Sequence, residues 1–184
     1  MFKKIMSIAA LFFAASFGAN AALVTVQSAD IDRSFTVTDL AAYWANITPS
    51  TPQMITLPTG FLFNGSGNNN SIYKLTATFT EDEGSLVSFD AGLDAGYGAE
   101  VFVNGQLVFN TESNLWWSRN WNSNAVISLV DLYFGPGQNV IEVYWAEDGN
   151  SGGNSFRADV RVSAPAILSI FALGLAGLAF TRRK

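Results

Sequence analysis

Ala99–Asn110 has the sequence AEVFVNGQLVFN, two apolar runs on either side of Asn104-Gly105. Asn-Gly is a preferred pair for a two-residue type I′ turn, because both central residues of that turn adopt a positive φ. This stretch therefore predicts a β-hairpin in which Val103 lies opposite Gln106.

The segments around the hairpin alternate between apolar and polar residues, which is the pattern of half-buried strands. In IYKLTATFT, residues 72–80, one face would carry Tyr73, Leu75, Ala77 and Phe79. NVIEVYWAE at 139–147 and SFRADVRV at 155–162 predict the last two antiparallel strands, joined as a hairpin by the polar loop EDGNSGGN. A short helix is expected only near residues 39–47.

About eight such segments are separated by turns and loops rather than by long helices. This spacing predicts an all-β fold, an antiparallel β-sandwich of the jelly-roll type, over residues 22–163. The two ends of the chain differ in composition from this domain. We expect a signal helix at 1–21 and a hydrophobic helix with a basic end at 164–184.

The first 21 residues have the three parts of a secretory signal. Lys3 and Lys4 precede an apolar stretch, and small residues follow at Ala19 and Ala21. We expect cleavage after Ala21 and export of the domain that follows.

The composition excludes several classes of function. The chain contains no cysteine and no histidine, so it forms no disulfide, no zinc site of the usual kind and no catalytic triad that needs either residue. Between the two ends, five basic side chains stand against fifteen acidic ones, a net charge of −10. Nucleic acid requires clustered lysine and arginine, so we expect no nucleic-acid partner.

Two stretches within residues 86–162, FDAGLDAGYGAEVFVNGQLVFN and LYFGPGQNVIEVYWAEDGNSGGNSFRADV, carry a resemblance to known domains. They resemble the hairpin and closing strands of carbohydrate-associated β-sandwiches, notably the protective-antigen-type domain of microbial adhesins and the galactose-binding-like jelly rolls. In the adhesin domains, paired aspartates in the opening loop hold calcium that helps to present the sugar. This chain has Asp94-Ala95-Gly96 there, with a single acid.

The segment LWWSRNW supplies the candidate carbohydrate-binding residues, which are Trp116, Trp117, Arg119, Trp121 and the following Asn122. Aromatic rings stack on the apolar faces of sugars, and amide or guanidinium groups bind the hydroxyls. Neighbouring residues of a strand point to opposite sides, so only one of Trp116 and Trp117 can be exposed on a given face. The alternative is that the tryptophans fill the core or cover a sheet edge. An exposed ring beside free Asn or Asp side chains would favour sugar binding.

Four acids are the candidate metal ligands: Asp90, Asp94, Glu147 and Asp148. We expect them at one end of the sandwich, where carboxylates could hold calcium. No other cofactor is expected. Glycoside hydrolysis needs two carboxylates placed across a cleft, and charged turns account more simply for most of the acids, so we expect no enzymatic activity.

Residues 163–184, SAPAILSIFALGLAGLAFTRRK, contain Pro165, an apolar run and a basic end with Arg182 and Arg183. Ala166–Phe180 would be about 22 Å long as a helix, which is shorter than the roughly 20 residues that span a bilayer. The basic residues at its end would still halt export on the cytoplasmic side, so a plain, short membrane anchor is one interpretation. The order of parts resembles the PEP-CTERM sorting signal of Gram-negative bacteria, which an exosortase-type transpeptidase recognises. Ser-Ala-Pro replaces the usual Pro-Glu-Pro.

The sequence thus predicts an exported, non-enzymatic protein of the cell surface or extracellular matrix, held at the inner membrane by its tail at least transiently. The resemblance of the tail implies an association with extracellular polysaccharide, since proteins with such tails are commonly tied to exopolysaccharide and biofilm production. The alternative is a purely structural surface module that engages other proteins and has no ligand site.

Overall fold

The computed structural model describes residues 23–32, 34–56, 61–64, 70–81, 84–148 and 153–162. The six-stranded sheet has the order β2 (Gln53–Thr56), β1 (Leu23–Asp30), β4 (Ser71–Glu81), β11 (Gly137–Glu147), β7 (Ala99–Val103) and β8 (Gln106–Thr111). The four-stranded sheet has the order β10 (Val126–Phe134), β5 (Ser85–Gly92), β12 (Gly153–Val162) and β3 (Phe61–Asn64). A ribbon of β6 (Asp94–Ala95) and β9 (Leu115–Trp116) and the helix α1 (Leu40–Trp44) complete the described elements.

The predicted hairpin is confirmed in β7 and β8. Val103 lies opposite Gln106, and the turn residues Asn104 and Gly105 have φ values of 50° and 78°. The Asn104 side-chain oxygen also accepts a hydrogen bond from the Val140 N–H at 2.8 Å. This contact fixes the turn to β11, the neighbouring strand of the sheet.

The core lies between the two large sheets and consists of the inward-facing residues of both. Trp145 of β11 lies 5.5 Å from Phe156 of β12, and Phe79 of β4 lies 5.4 Å from Phe134 of β10, measured between ring centroids. All four side chains are buried, as are the predicted inward residues Tyr73, Leu75 and Ala77. Two sheets that share an apolar layer in this way confirm the predicted antiparallel β-sandwich.

The prediction that β11 and β12 form a hairpin is wrong. β11 pairs with β4 and β7 in one sheet, whereas β12 pairs with β5 and β3 in the other. Trp145 and Phe156 are both fully buried and face each other across the core. β11 and β12 therefore lie in opposite layers of the sandwich, where their large rings pack against each other.

The predicted short helix is confirmed as α1, which lies against the outer face of the six-stranded sheet. The Asp39 carboxylate accepts a hydrogen bond from the Ala42 N–H at 2.8 Å and so caps the first turn. Leu40 and Trp44 are buried in a second apolar cluster that includes Tyr144 of β11. This cluster covers the part of the sheet that would otherwise expose apolar side chains.

A buried carboxylate attaches α1 to the sheet. The two oxygens of Glu100 in β7 accept hydrogen bonds from the backbone N–H groups of Leu40 at 3.1 Å and Ala41 at 3.0 Å. These N–H groups belong to the first turn of the helix, where no intrahelical acceptor exists. Glu100 therefore satisfies two backbone donors that would otherwise be buried without an acceptor.

Several predictions fall outside the described residues. These are the signal segment 1–21 with cleavage after Ala21, the tail 164–184 with Pro165, Arg182 and Arg183, and both terminal helices. The described part of the chain contains no helix that could span a bilayer.

Candidate carbohydrate-binding site

The ribbon of β6 and β9 decides which tryptophan is exposed. Trp116 in β9 is 65% exposed, whereas its neighbours Leu115 and Trp117 are buried at 8% and 6%. Residues of a strand alternate between its two sides, and the inner side of this segment packs on the core. The sequence predicted that only one of the two adjacent tryptophans could be exposed on a given face, and the structure assigns the exposed position to Trp116.

Trp116 lies directly opposite Asp94 of β6. Residues that oppose each other in an antiparallel pair project from the same side, with Cβ atoms about 4.5–5.5 Å apart. The exposed indole ring and the Asp94 side chain therefore form a cross-strand pair on the surface of the ribbon. This pair places an aromatic ring beside a hydrogen-bond acceptor.

Asp94 has a second acid as its neighbour. Burial and, secondarily, the charge of Asp148 raise the pKa of Asp94. The Asp148 carboxyl group lies against Gly96, where a Cβ would be only 2.3 Å from the carboxyl carbon. Asp148 is thus a neighbour of Asp94, which itself lies opposite Trp116, and the absence of a side chain at position 96 leaves the space for the Asp148 carboxyl group.

The backbone beneath this acidic pair is fixed by Asn154. The Asp94 N–H donates a hydrogen bond to the Asn154 side-chain oxygen at 2.9 Å, and Asn154 is fully buried. Asn154 belongs to β12 and Asp94 to β6, so the contact attaches the ribbon to the four-stranded sheet. Nothing in the sequence around Asn154 indicated this role, because it depends on a contact between residues 60 positions apart.

Trp117 and Trp121 pack against the sandwich instead of projecting into solvent. The Trp117 ring lies over Gly92, where a Cβ would be 2.4 Å from the ring atom Cε2. The backbone N–H of Trp117 also donates to the Leu93 carbonyl at 3.0 Å. Trp121 is half-buried, with its ring centroid 5.0 Å from that of Trp117. Trp117 thus belongs to the buried core, and Trp121 packs against that core.

Arg119 and Asn122 lie in the exposed loop that follows β9. Arg119 has a positive φ of 63°, and the Asn122 N–H donates to the Asn120 side-chain oxygen at 3.0 Å. Within the described part of the chain, no hydrogen bond or ring contact joins either side chain to Trp116. The five residues predicted as one site are thus divided between the ribbon, the sheet surface and a loop tip.

The four predicted calcium ligands are divided as well. Asp90 lies on the four-stranded sheet, where its carboxylate accepts hydrogen bonds from the Ser128 hydroxyl and from Nε of Arg157, the latter at 2.6 Å. Glu147 is buried at the end of β11, opposite Ser71. Asp94 and Asp148 are the two that lie close together. In the ranges that the structure describes, no three acidic, histidine or cysteine side chains are close enough together to hold a metal ion.

No family model matches this chain, and neither does any curated protein. Among solved structures, the PA14 sugar-binding domain from an RTX adhesin is 14% identical over 79% of this chain and 93% of its own length, with a TM-score of 0.48. The PA14 domain of the MpAFP antifreeze protein is 15% identical over 78% of this chain and 83% of its own length, with a TM-score of 0.46. A beta-glucosidase from Kluyveromyces marxianus is 12% identical over 76% of this chain, with a TM-score of 0.45, and this chain spans 16% of that enzyme's length. These low scores carry no functional argument.

Proposed function

We propose that this protein is a non-enzymatic carbohydrate-binding module whose site is the exposed ring of Trp116 with the carboxylates of Asp94 and Asp148. The observation that carries the proposal is the cross-strand pair of Trp116 and Asp94 on the surface of the ribbon. The indole ring supplies a flat apolar surface on which a pyranose ring stacks. The carboxylates supply acceptors for the hydroxyl groups at the edge of the same sugar.

The two carboxylates suit neutral hydroxyl donors for a physical reason. Asp94 is partly buried beside Asp148, and both factors disfavour its ionised form. A hydrogen-bond donor from a ligand stabilises the ionised form and offsets this cost. The calcium ion that the sequence predicts for Asp90, Asp94, Glu147 and Asp148 would meet two of those four acids here, and a divalent cation would also offset the cost of ionising Asp94.

The proposal includes the cellular context that the sequence predicts. Residues 1–21 would direct export, and residues 164–184 would hold the protein at the envelope. An exosortase-type enzyme would release it from this position by processing the tail. The ligand would then be extracellular polysaccharide. Cell fractionation of the full chain and of a variant with Arg182 and Arg183 changed to Ser tests the retention step. Equal partition of both proteins into the medium would contradict it.

A glycan array with the full-length protein tests the binding function, with calcium present and again with a chelator. The array includes the variants Trp116→Ala and Trp116→Phe. We expect Trp116→Ala to weaken the affinity about tenfold, the equivalent of about 1.4 kcal/mol of stacking, and Trp116→Phe to retain most of it. An equal glycan affinity of Trp116→Ala and the wild type would contradict the proposed site. Release of reducing sugar from a bound glycan would contradict the non-enzymatic part.

A further inference from the structure

The outer face of β5 is a long surface on the side of the four-stranded sheet that points away from the core. Alternate residues of this strand, Val87, Phe89 and Ala91, are fully buried in the core. The even-numbered positions of β5, together with Gly84 just before the strand, form the outer face. These residues are Gly84, Leu86, Ser88, Asp90 and Gly92. At about 3.4 Å per residue, the distance from Gly84 to Gly92 is about 27 Å. Leu86 is exposed, and Ser88 and Asp90 are half-buried.

An aromatic ring lies against each end of this face at a glycine. Trp117 covers Gly92, as described above, and Tyr133 of β10 covers Gly84, where a Cβ would be 2.4 Å from the phenolic oxygen. The two rings differ in exposure, because Trp117 is buried whereas Tyr133 is 70% exposed. Tyr133 therefore rests on the backbone at one end and presents most of its ring to solvent.

A row of polar side chains crosses the sheet between these ends. Ser128, Asp90 and Arg157 lie opposite one another on three adjacent strands, β10, β5 and β12. The Asp90 carboxylate accepts from Ser128 on one oxygen and from Nε of Arg157 on the other. The Arg157 guanidinium also lies 4.4 Å from the ring centroid of Trp121, which fixes its orientation.

We propose that the outer face of β5 binds an extended, uncharged polysaccharide chain, with Tyr133 as the stacking ring and the Asp90–Arg157 pair as the hydrogen-bonding centre. A carboxylate offers acceptors and a guanidinium offers donors, and adjacent sugar hydroxyls act as both. Among the residues that the structure describes, Arg157 donates to Asp90 through Nε alone, so the other guanidinium N–H groups can bind a ligand. This is a second site, which uses neither Trp116 nor the acids beside it.

Charge selects the class of polysaccharide. The Asp90 charge is compensated by Arg157 at 2.6 Å, so the centre of the face carries no net charge from this pair. The whole chain has a net charge of −5, which disfavours an anionic polymer at a site whose arginine is already paired. An uncharged chain meets neither repulsion nor the cost of separating the pair.

The distribution of apolar side chains argues against a protein partner on this face. The exposed apolar residues near it are Leu86, Val130 and Tyr133, and Tyr133 and Leu86 oppose each other at one end. The centre is polar, whereas the centre of a stable protein interface is its most apolar part.

Affinity electrophoresis of the full-length protein tests this inference. The gels contain a soluble β-glucan, a galactomannan or a xylan, and a parallel titration uses the corresponding disaccharides. The variants are Tyr133→Ala, Tyr133→Phe, Leu86→Arg and Trp116→Ala, with Met54→Ala as a control for loss of an exposed apolar side chain elsewhere. We expect Tyr133→Ala and Leu86→Arg each to weaken polysaccharide binding about three- to tenfold, while Tyr133→Phe and Met54→Ala stay within twofold of the wild type.

The variants separate this inference from the proposed function. In one outcome, Trp116→Ala loses disaccharide binding, whereas Tyr133→Ala and Leu86→Arg are retarded by polysaccharide as the wild type is. This result would overturn the second site and leave the Trp116 site intact. The opposite pattern would support the second site and contradict the first. A wild-type protein that no polysaccharide retards would overturn the inference. Thermal unfolding of each variant tests whether weaker binding results from misfolding. Because Tyr133→Ala and Leu86→Arg are independent substitutions on the same face, the test does not depend on a single variant that folds correctly.

Discussion

The outer faces of the two sheets differ, although both sheets contribute to the same core. The outer face of the six-stranded sheet is partly covered by the segment around α1, which buries Leu40 and Trp44 against Tyr144. The outer face of the four-stranded sheet carries the Asp90–Arg157 pair and the exposed ring of Tyr133. Aromatic residues therefore have two roles here: those under α1 stabilise the fold, and those on the open surfaces are available to a ligand.

Of the variants that test this difference between the two outer faces, Trp44→Ala should lower the free energy of unfolding the most. Trp44 is buried, and its ring packs edge-to-face on Tyr144 at 6.3 Å. Removing a buried tryptophan costs about 3–5 kcal/mol. The matched change Tyr133→Ala on the other outer face should cost about 0.5 kcal/mol or less, because that ring is mostly exposed. Urea unfolding measures both free energies, and similar losses in the two variants would contradict the division of roles.

Glu100→Gln tests how α1 is attached. Glutamine keeps one acceptor oxygen where the carboxylate has two, so one of the N–H groups of Leu40 and Ala41 would lose its partner. We expect the free energy of unfolding to fall by about 1–3 kcal/mol. Glu112→Gln at an exposed position is the control and should have little effect. Equal midpoints of urea unfolding in Glu100→Gln and wild type would show that this carboxylate does not hold the helix.

Local patterns predicted the features that depend on neighbouring residues. The Asn104-Gly105 turn fixed the register of the β7–β8 hairpin, and strand alternation limited exposure to one of Trp116 and Trp117. Which of those two rings faces solvent depends on how the ribbon packs on the core, so the sequence left it open. The ion pair of Asp90 and Arg157 was missed, since it follows from the register of β5 with β12 across 67 positions of chain.

The misplaced β11–β12 hairpin has the same cause. A polar loop between two strands fits a hairpin and a crossover between sheets equally well. The choice depends on pairing with distant strands, since β11 pairs with β4 and β7 whereas β12 pairs with β5 and β3. The acidic cluster was predicted in part. Asp94 and Asp148 come together, whereas Asp90 is drawn to Arg157 and Glu147 is buried in the six-stranded sheet.

A smaller effect is expected from the acids of the ribbon. Burial and the nearby Asp148 raise the pKa of Asp94, so the folded state binds the proton more tightly than the unfolded state. Ionisation of Asp94 therefore lowers the free energy of unfolding at neutral pH. This loss disappears as the pH falls through the folded-state pKa of Asp94 toward the ordinary pKa of an aspartate, about 4.

Asp94→Asn removes this ionisation. The variant should be more stable than the wild type at pH 7, and the difference in urea midpoint should shrink as the pH approaches about 4. Glu112→Gln, at an exposed position, provides the control. A wild type that is more stable than Asp94→Asn at pH 7 would mean that the charged form of Asp94 is stabilised in the fold.

The account depends most directly on whether the Trp116 ring meets a sugar. Of the chain's five tryptophans, Trp116 is the one that the structure leaves exposed, while the other four are buried or half-buried. Acrylamide quenching of tryptophan fluorescence therefore reports mainly on this ring. With a saturating oligosaccharide identified on the glycan array, we predict reduced quenching in the wild type and no change in Trp116→Phe. Unchanged quenching of the wild type at saturation would contradict the proposed site.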